Sequence, residues 1–210
     1  MIKGIDISHN NTVNWAHLSP AVKFVFCKAT QGAGFKDPLF NAYWQHLKST
    51  QICRGAYHFL TATDSAEVQA KNFLSLGIDF SAPDCMPPML DVEDQVPAAL
   101  NKNITDNKSA FIKLVTDWLK IVKEATGNDP IIYSYKNFSA EYLNNTSWPN
   151  NKLWLASYQN AQPGLPKGYT HFDFWQYSQY GKISGEPTGG EFDLDYFNGT
   201  QEQLNALANK

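Results

Sequence analysis

Seven short runs rich in β-branched and aromatic residues, at 3–7, 22–28, 52–59, 86–92, 131–134, 153–158 and 172–176, are separated over most of the chain by segments of helical character. This alternation is the strongest constraint on the fold, because two strands that run parallel need a crossover of a dozen or more residues, usually a helix. The helical segments expected are 38–49, 65–76, 109–125, 140–144 and 201–208. The third is the clearest. Phe111, Leu114, Val115, Trp118, Leu119 and Val122 recur at three- and four-residue steps, and Gly127 stands where a helix stop belongs. Beyond Trp148 the helices thin out while strand signals continue, so the last third is expected to be antiparallel or loop-rich. The fold class expected is α/β, an irregular single-domain β/α barrel, and 210 residues is a length at which such a chain closes around one core. There is no internal repeat and no linker; 144–151 and 161–168 are rich in Asn, Pro and Gly and read as loops.

The charge balance narrows the partners. With 17 basic against 20 acidic residues, and no cluster of Lys and Arg, the chain lacks the footprint of a nucleic-acid binder. Cys27, Cys53 and Cys85 lie in or beside apolar segments, without metal-ligand spacing, and are expected to be buried free thiols. No stretch has the length of a membrane span, and the N-terminus opens at once on a strand rather than an apolar export signal. Synthesis in the cytoplasm is therefore the expectation.

Chemistry points to Asp91-Val92-Glu93, which closes the apolar run PPMLDVEDQ. Alternate side chains of a strand share a face, so the two carboxylates project together with roughly 6–7 Å of backbone rise between them. Paired carboxylates are what glycosidic cleavage needs, and strand ends are where barrels place catalytic groups. If the strands share one barrel, their C-terminal ends share a rim. Asp6 at the end of the first strand, Asp193 and Asp195 in EFDLDYF, and His58 near the end of the third strand would then be neighbours of the pair. Each has a plainer reading. Asp6 could cap a helix at Trp15 to Leu18 or close a turn, His58 could be a core-edge histidine bonded to a carbonyl, Asp193 and Asp195 could be solvated hairpin residues, and Lys28 could be a rim cation.

Nine motifs in order carry a resemblance: GIDIS, FVFCKATQG, Asp37-Pro38 with Phe40, GAYHF, MLDVE, IIYSY, LWLASY, FWQYS and FDLDYF, spanning residues 4–197. Through them the chain resembles the family 25 glycoside hydrolases, muramidase-type lysozymes found among phage endolysins and bacterial cell-wall enzymes. The resemblance implies an irregular barrel of about five βα units followed by three further strands. It also implies hydrolysis of the β-1,4 bond between N-acetylmuramic acid and N-acetylglucosamine in peptidoglycan. The chain is expected to act as a monomer with no cofactor and no metal, and no separate wall-binding domain is expected. By position, Glu93 matches the general acid, Asp91 the second carboxylate, and Asp6 and Asp193 the supporting acids. Tyr57, Tyr133, Tyr158, Trp175, Lys28 and His58 are the residues expected to contact the sugar. Two positions depart from the pattern: Gln31 stands where the family usually has Glu, and Asn11 where Gln is common. A wall substrate without an export signal implies delivery by a holin or a secretion machine.

Two other readings compete. Asp6, His58, Asp91, Glu93 and Asp193 offer oxygen ligands and an imidazole for a divalent ion in a metal-dependent hydrolase, and an aromatic cleft on such a barrel also suits a non-catalytic sugar-binding module.

Overall fold

The computed structural model describes residues 1–158, 163–182 and 191–209; positions 161 and 162 of one expected loop lie outside them. Along the chain run β1 (Ile2–Ile7), β2 (Val22–Gln31), β3 (Phe35–Lys36), α1 (Phe40–Lys48), β4 (Cys53–Phe59), α2 (Ala66–Leu74) and β5 (Met89–Asp91). They are followed by α3 (Asn101–Asp106), α4 (Lys108–Thr126), β6 (Ile131–Tyr135), α5 (Lys136–Tyr142), β7 (Leu153–Ala156), β8 (Phe174–Gly181), β9 (Phe192–Phe197) and α6 (Gln201–Leu207). Short 3-10 turns occupy Trp15–His17 and Ala98–Leu100.

One sheet of nine strands has the order β1-β9-β8-β7-β6-β5-β4-β2-β3, and the pairing of β1 with β2 closes it, leaving β3 as a flap on β2. Each pairing from β1 through β8 around the closed ring is parallel, whereas β9 runs antiparallel to both β8 and β1. The antiparallel character expected of the last third is thus confined to one strand of the ring. That strand matters for position: its N-terminal end, not its C-terminal end, reaches the rim at which the parallel strands finish.

The sheet separates two apolar layers. Phe24, Phe26, Tyr57, Met89, Tyr133, Trp154 and Phe174 pack inside the ring. Ile5, Val25, Cys27, Leu90, Ile132 and the apolar stripe of α4 pack outside it, beneath the helices. Rings fill the interior so completely that a Cβ on Gly4 would lie 2.3 Å from the Phe24 ring, and one on Gly55 would lie 2.4 Å from the Met89 methyl. The helix expected at 109–125 forms as α4, with the Asn107 side chain accepting from Ala110 N at its start and Gly127 at φ 72° ending it. The helix expected at 140–144 instead begins at Lys136, directly after β6 with no turn between them, and stops where Asn144 and Asn145 adopt positive φ. All three cysteines are free and buried. Among the described residues no helix is long and apolar enough to cross a membrane.

Candidate active site

Alternation along the strands decides which side chains reach the rim. On β2, Phe24 and Phe26 face inward, and Lys28 follows them at the next inward step. A bulge after Lys28 then places Lys28 beside Tyr57 but Thr30 beside His58. His58 and Thr30 are consequently turned to the helix side. His58 is fully buried there, with Nδ1 2.7 Å from Thr30 Oγ1, Nε2 3.2 Å from Gln69 Oε1, and its ring stacked on Trp118 at 5.5 Å. Burial, opposed by the Gln69 bond, pushes its pKa down to about 4. His58 is therefore a core histidine and does not line the cleft. The ligand set considered for a divalent ion is split by the sheet in the same stroke, and among the described residues no three His, Cys, Asp or Glu side chains are grouped to hold a metal.

Trp175 also departs from expectation. Its indole lies on the outer face of β8 among Leu153, Leu155, Phe172 and Tyr196, and donates from Nε1 to Ser157 O at 2.8 Å. The inward residue of FWQYS is its neighbour Gln176, since one step along a strand exchanges faces. Gln176 is nearly buried and organises the barrel mouth. Its Oε1 accepts from Tyr133 Oη at 2.9 Å and from Tyr158 Oη at 2.7 Å, and its Nε2 donates to Asp6 Oδ2 at 2.8 Å.

The acids converge. β9 pairs with β1 so that Asp193 lies opposite Asp6 and Asp195 opposite Gly4. Asp195 is completely buried; Trp154 Nε1 donates to its Oδ1 at 2.7 Å, while its Oδ2 meets no N–H or hydroxyl donor among the described residues. Asp6 is held well above the usual carboxylate range, first by burial and then by the charges of Asp193 and Asp195, with Gln176 opposing. Burial raises Asp193 to about 6 and Asp195 to about 8, in each case against a hydrogen bond with Asp6. Carboxyls in this arrangement share protons rather than ionise together.

Asp91 ends β5, and Glu93 lies two residues on, in the connection that follows. Both are raised. For Asp91 the causes are burial, then Glu93, with Lys28 opposing. Glu93 is raised to about 7 by burial, then Asp94, again with Lys28 opposing. Lys28 has its own ammonium disfavoured by burial and restored in part by Asp91, Asp37 and Glu93. It donates to Gln31 Oε1 at 2.8 Å and lies 4.8 Å from the centre of the Phe59 ring. Gln31 thus holds the lysine without neutralising it, and the full cationic charge faces the acid pair.

Sequence reasoning missed the parts that hold Glu93 still. Gln95, 2% exposed, donates from Nε2 to Glu93 O and Leu60 O, both at 3.1 Å, and accepts from Ala62 N at 2.8 Å. Asp94 accepts from the Tyr135 hydroxyl and from Asn101 Nδ2. An acidic residue beside an acid is invisible as a support until the loop is seen. From Glu93 a cleft of about 580 Å³ opens along Tyr133, Tyr135, Lys136, Ala156, Tyr158 and Gly164. Tyr57 is at the floor, inside the barrel and nearly buried, and Tyr158, 49% exposed, is at the edge.

A protonated carboxyl over a cleft, a second carboxyl beside it and a cation that opposes both can protonate a leaving oxygen and stabilise positive charge on a sugar ring. The comparisons with known proteins agree with this chemistry. The uncharacterized protein YegX of Escherichia coli (strain K12) is 35% identical over 98% of this chain and 73% of its own length. Lysozyme M1 of Streptomyces globisporus is 31% identical over 99% of this chain and 71% of its own. The crystal structure of the bacterial lysozyme from Streptomyces coelicolor superposes with a TM-score of 0.89 at 30% identity, covering 99% of this chain and 97% of that one. Residues 5–186 match the profile of Glycosyl hydrolases family 25, and the chain belongs to that family.

Proposed function

We propose that the chain is a muramidase that cleaves the β-1,4 bond between N-acetylmuramic acid and N-acetylglucosamine in peptidoglycan, with retention of anomeric configuration. The observation that carries this is the placement of Glu93, raised to about 7 at the head of the cleft, beside the deeper carboxyl of Asp91. The family supports the substrate, and the lysozyme relatives point the same way.

Glu93 gives its proton to the leaving glycosidic oxygen. As the C1–O bond breaks, the carbonyl oxygen of the substrate's own 2-acetamido group bonds to C1 from the opposite face. Asp91 accepts the acetamido N–H and offsets the charge of the cyclic intermediate. Glu93, now a carboxylate, takes a proton from water, and that water opens the intermediate at C1, so two inversions give retention. The buried Asp91 Oδ1, which has no donor among the described residues, supports this division of labour. An N–H supplied by substrate favours the charged form of Asp91 and leaves the shared proton on Glu93.

Mass spectrometry of muropeptides released from purified peptidoglycan tests the bond. Muramic acid is expected at the new reducing end, and glucosamine there would refute the assignment. The Glu93→Gln variant is expected to fold normally and lose at least about a thousandfold in turnover, in the range for removal of a general acid. Wild-type activity should fall as pH rises through about 7, where Glu93 gives up its proton. A glycosyl adduct on Asp91 in intact-protein mass spectra would overturn the acetamido-assisted step.

A further inference from the structure

The cleft on which Glu93 opens is also lined by a cation that cleavage does not use. Lys136 is the first residue of α5 and lines the same cavity as Glu93. Among the described residues it takes part in no ion pair. Its side chain lies along Gly164 so closely that a Cβ there would be 3.1 Å from Nζ and 3.4 Å from Cδ. The missing side chain at 164 leaves room for the lysine stem and ammonium to run past it at the cleft wall. Other cleft side chains are the acid Glu93, the uncharged polar residues Asn137, Ser157 and Gln179, and the tyrosines 133, 135 and 158, which suit hydroxyls and ring faces of a sugar.

A chain of N-acetylated hexosamines is neutral and gives an ammonium nothing to pair with. The charge in peptidoglycan is carried by carboxylates, on the lactyl group of the muramyl sugar or on the peptide attached to it. Resting on the muramidase reading above, we propose that Lys136 is a specificity-determining residue that pairs with a carboxylate of the muramyl substituent. Such a contact favours peptidoglycan over a chitin-type chain through the cleft itself.

The test is calorimetric binding in the Glu93→Gln background, which removes turnover from every arm. Three tetrasaccharides are compared: chitotetraose, a muramyl-containing chain with free lactyl carboxylates, and the same chain bearing stem peptides. Lys136→Met, which keeps the apolar stem, should weaken binding of an anionic ligand by about fivefold, the ratio that ~1 kcal/mol represents for a solvent-accessible ion pair. Chitotetraose should bind unchanged, and Lys136→Arg should restore the anionic ligand. Because the stem peptide is joined through the lactyl carboxyl as a neutral amide, loss with the free-lactyl ligand alone identifies the lactyl carboxylate, loss with the peptide-bearing one alone identifies a carboxylate of the stem, and loss with both shows that the ammonium reaches either. Equal loss for chitotetraose, or no loss for either muramyl ligand, overturns the proposal. Failure of the wild type to release reducing ends from peptidoglycan would overturn the muramidase reading separately.

Discussion

Replacing Asp195 with Asn should make the protein more stable at pH 8 and leave its stability at pH 4.5 almost unchanged. Asp195 is completely buried, with Trp154 Nε1 2.7 Å from Oδ1 and with Asp6 and Asp193 as its ionisable neighbours. An unfolded chain releases this proton near pH 3.8, whereas in the fold burial raises the group to about 8, against the hydrogen bonds from Trp154 and Asp6. Between those values the folded state binds a proton that the unfolded state does not. Its stabilising effect is complete below about pH 4 and is lost progressively as pH rises toward 8. At ~1.4 kcal/mol per pH unit the cost at pH 8 has a ceiling of about 5 kcal/mol. Because Asp6, Asp193 and Asp195 share protons, one substitution should recover about 2–4 kcal/mol of it. Asparagine preserves the acceptor for Trp154 and turns an N–H toward Asp6, with nothing left to ionise. Urea and thermal unfolding followed by tryptophan fluorescence at both pH values are the assays, and at pH 8 the melting temperature should rise by about 5–10 °C. A change of equal size at both pH values, or destabilisation at pH 8, would refute the reasoning.

Gln31→Glu should place a carboxylate on Lys28 Nζ at the present 2.8 Å contact and withdraw part of the cation's support from Asp91 and Glu93. Both acids should then hold their protons to higher pH, so the alkaline limb of the activity profile should move upward by a fraction of a pH unit; a downward shift would contradict the role given to Lys28. Gly55→Ala should destabilise the fold by about 1–3 kcal/mol, because the added methyl meets Met89 at 2.4 Å and Phe26 at 2.8 Å inside a filled barrel. Chemical denaturation measures this, and an unchanged midpoint would mean that the interior has room to yield.

The parts legible in the sequence were those with a period. The stripe from Phe111 to Val122 fixed α4 to within one residue at each end, and the alternation of strands with helices fixed the parallel ring. The acids were legible too, because Asp6, Asp91 and Asp193 end or begin strands whose ends the topology brings to one rim. Face was harder to read than position. FWQYS marks a strand, but nothing within it says whether Trp175 or Gln176 points inward, and the bulkier ring faces out. His58 was misread for the same reason, since the bulge in β2 that settles which face of β4 receives which partner leaves no mark on GAYHF. Gln95 and Asp94 were missed because their work is to bind backbone and neighbouring side chains of a loop, for which no local pattern exists.

The position of β9 carries a consequence for folding. Asp6 and Asp193 are partners across the sheet, yet almost every other strand of the ring lies between them along the chain. Until β9 inserts between β1 and β8 the ring is open, the buried acids are solvated, and the wall of aromatic side chains has no closure. A chain that lacks β9 therefore keeps the Asp91-Val92-Glu93 segment but not the closed ring that buries and couples the acids around it.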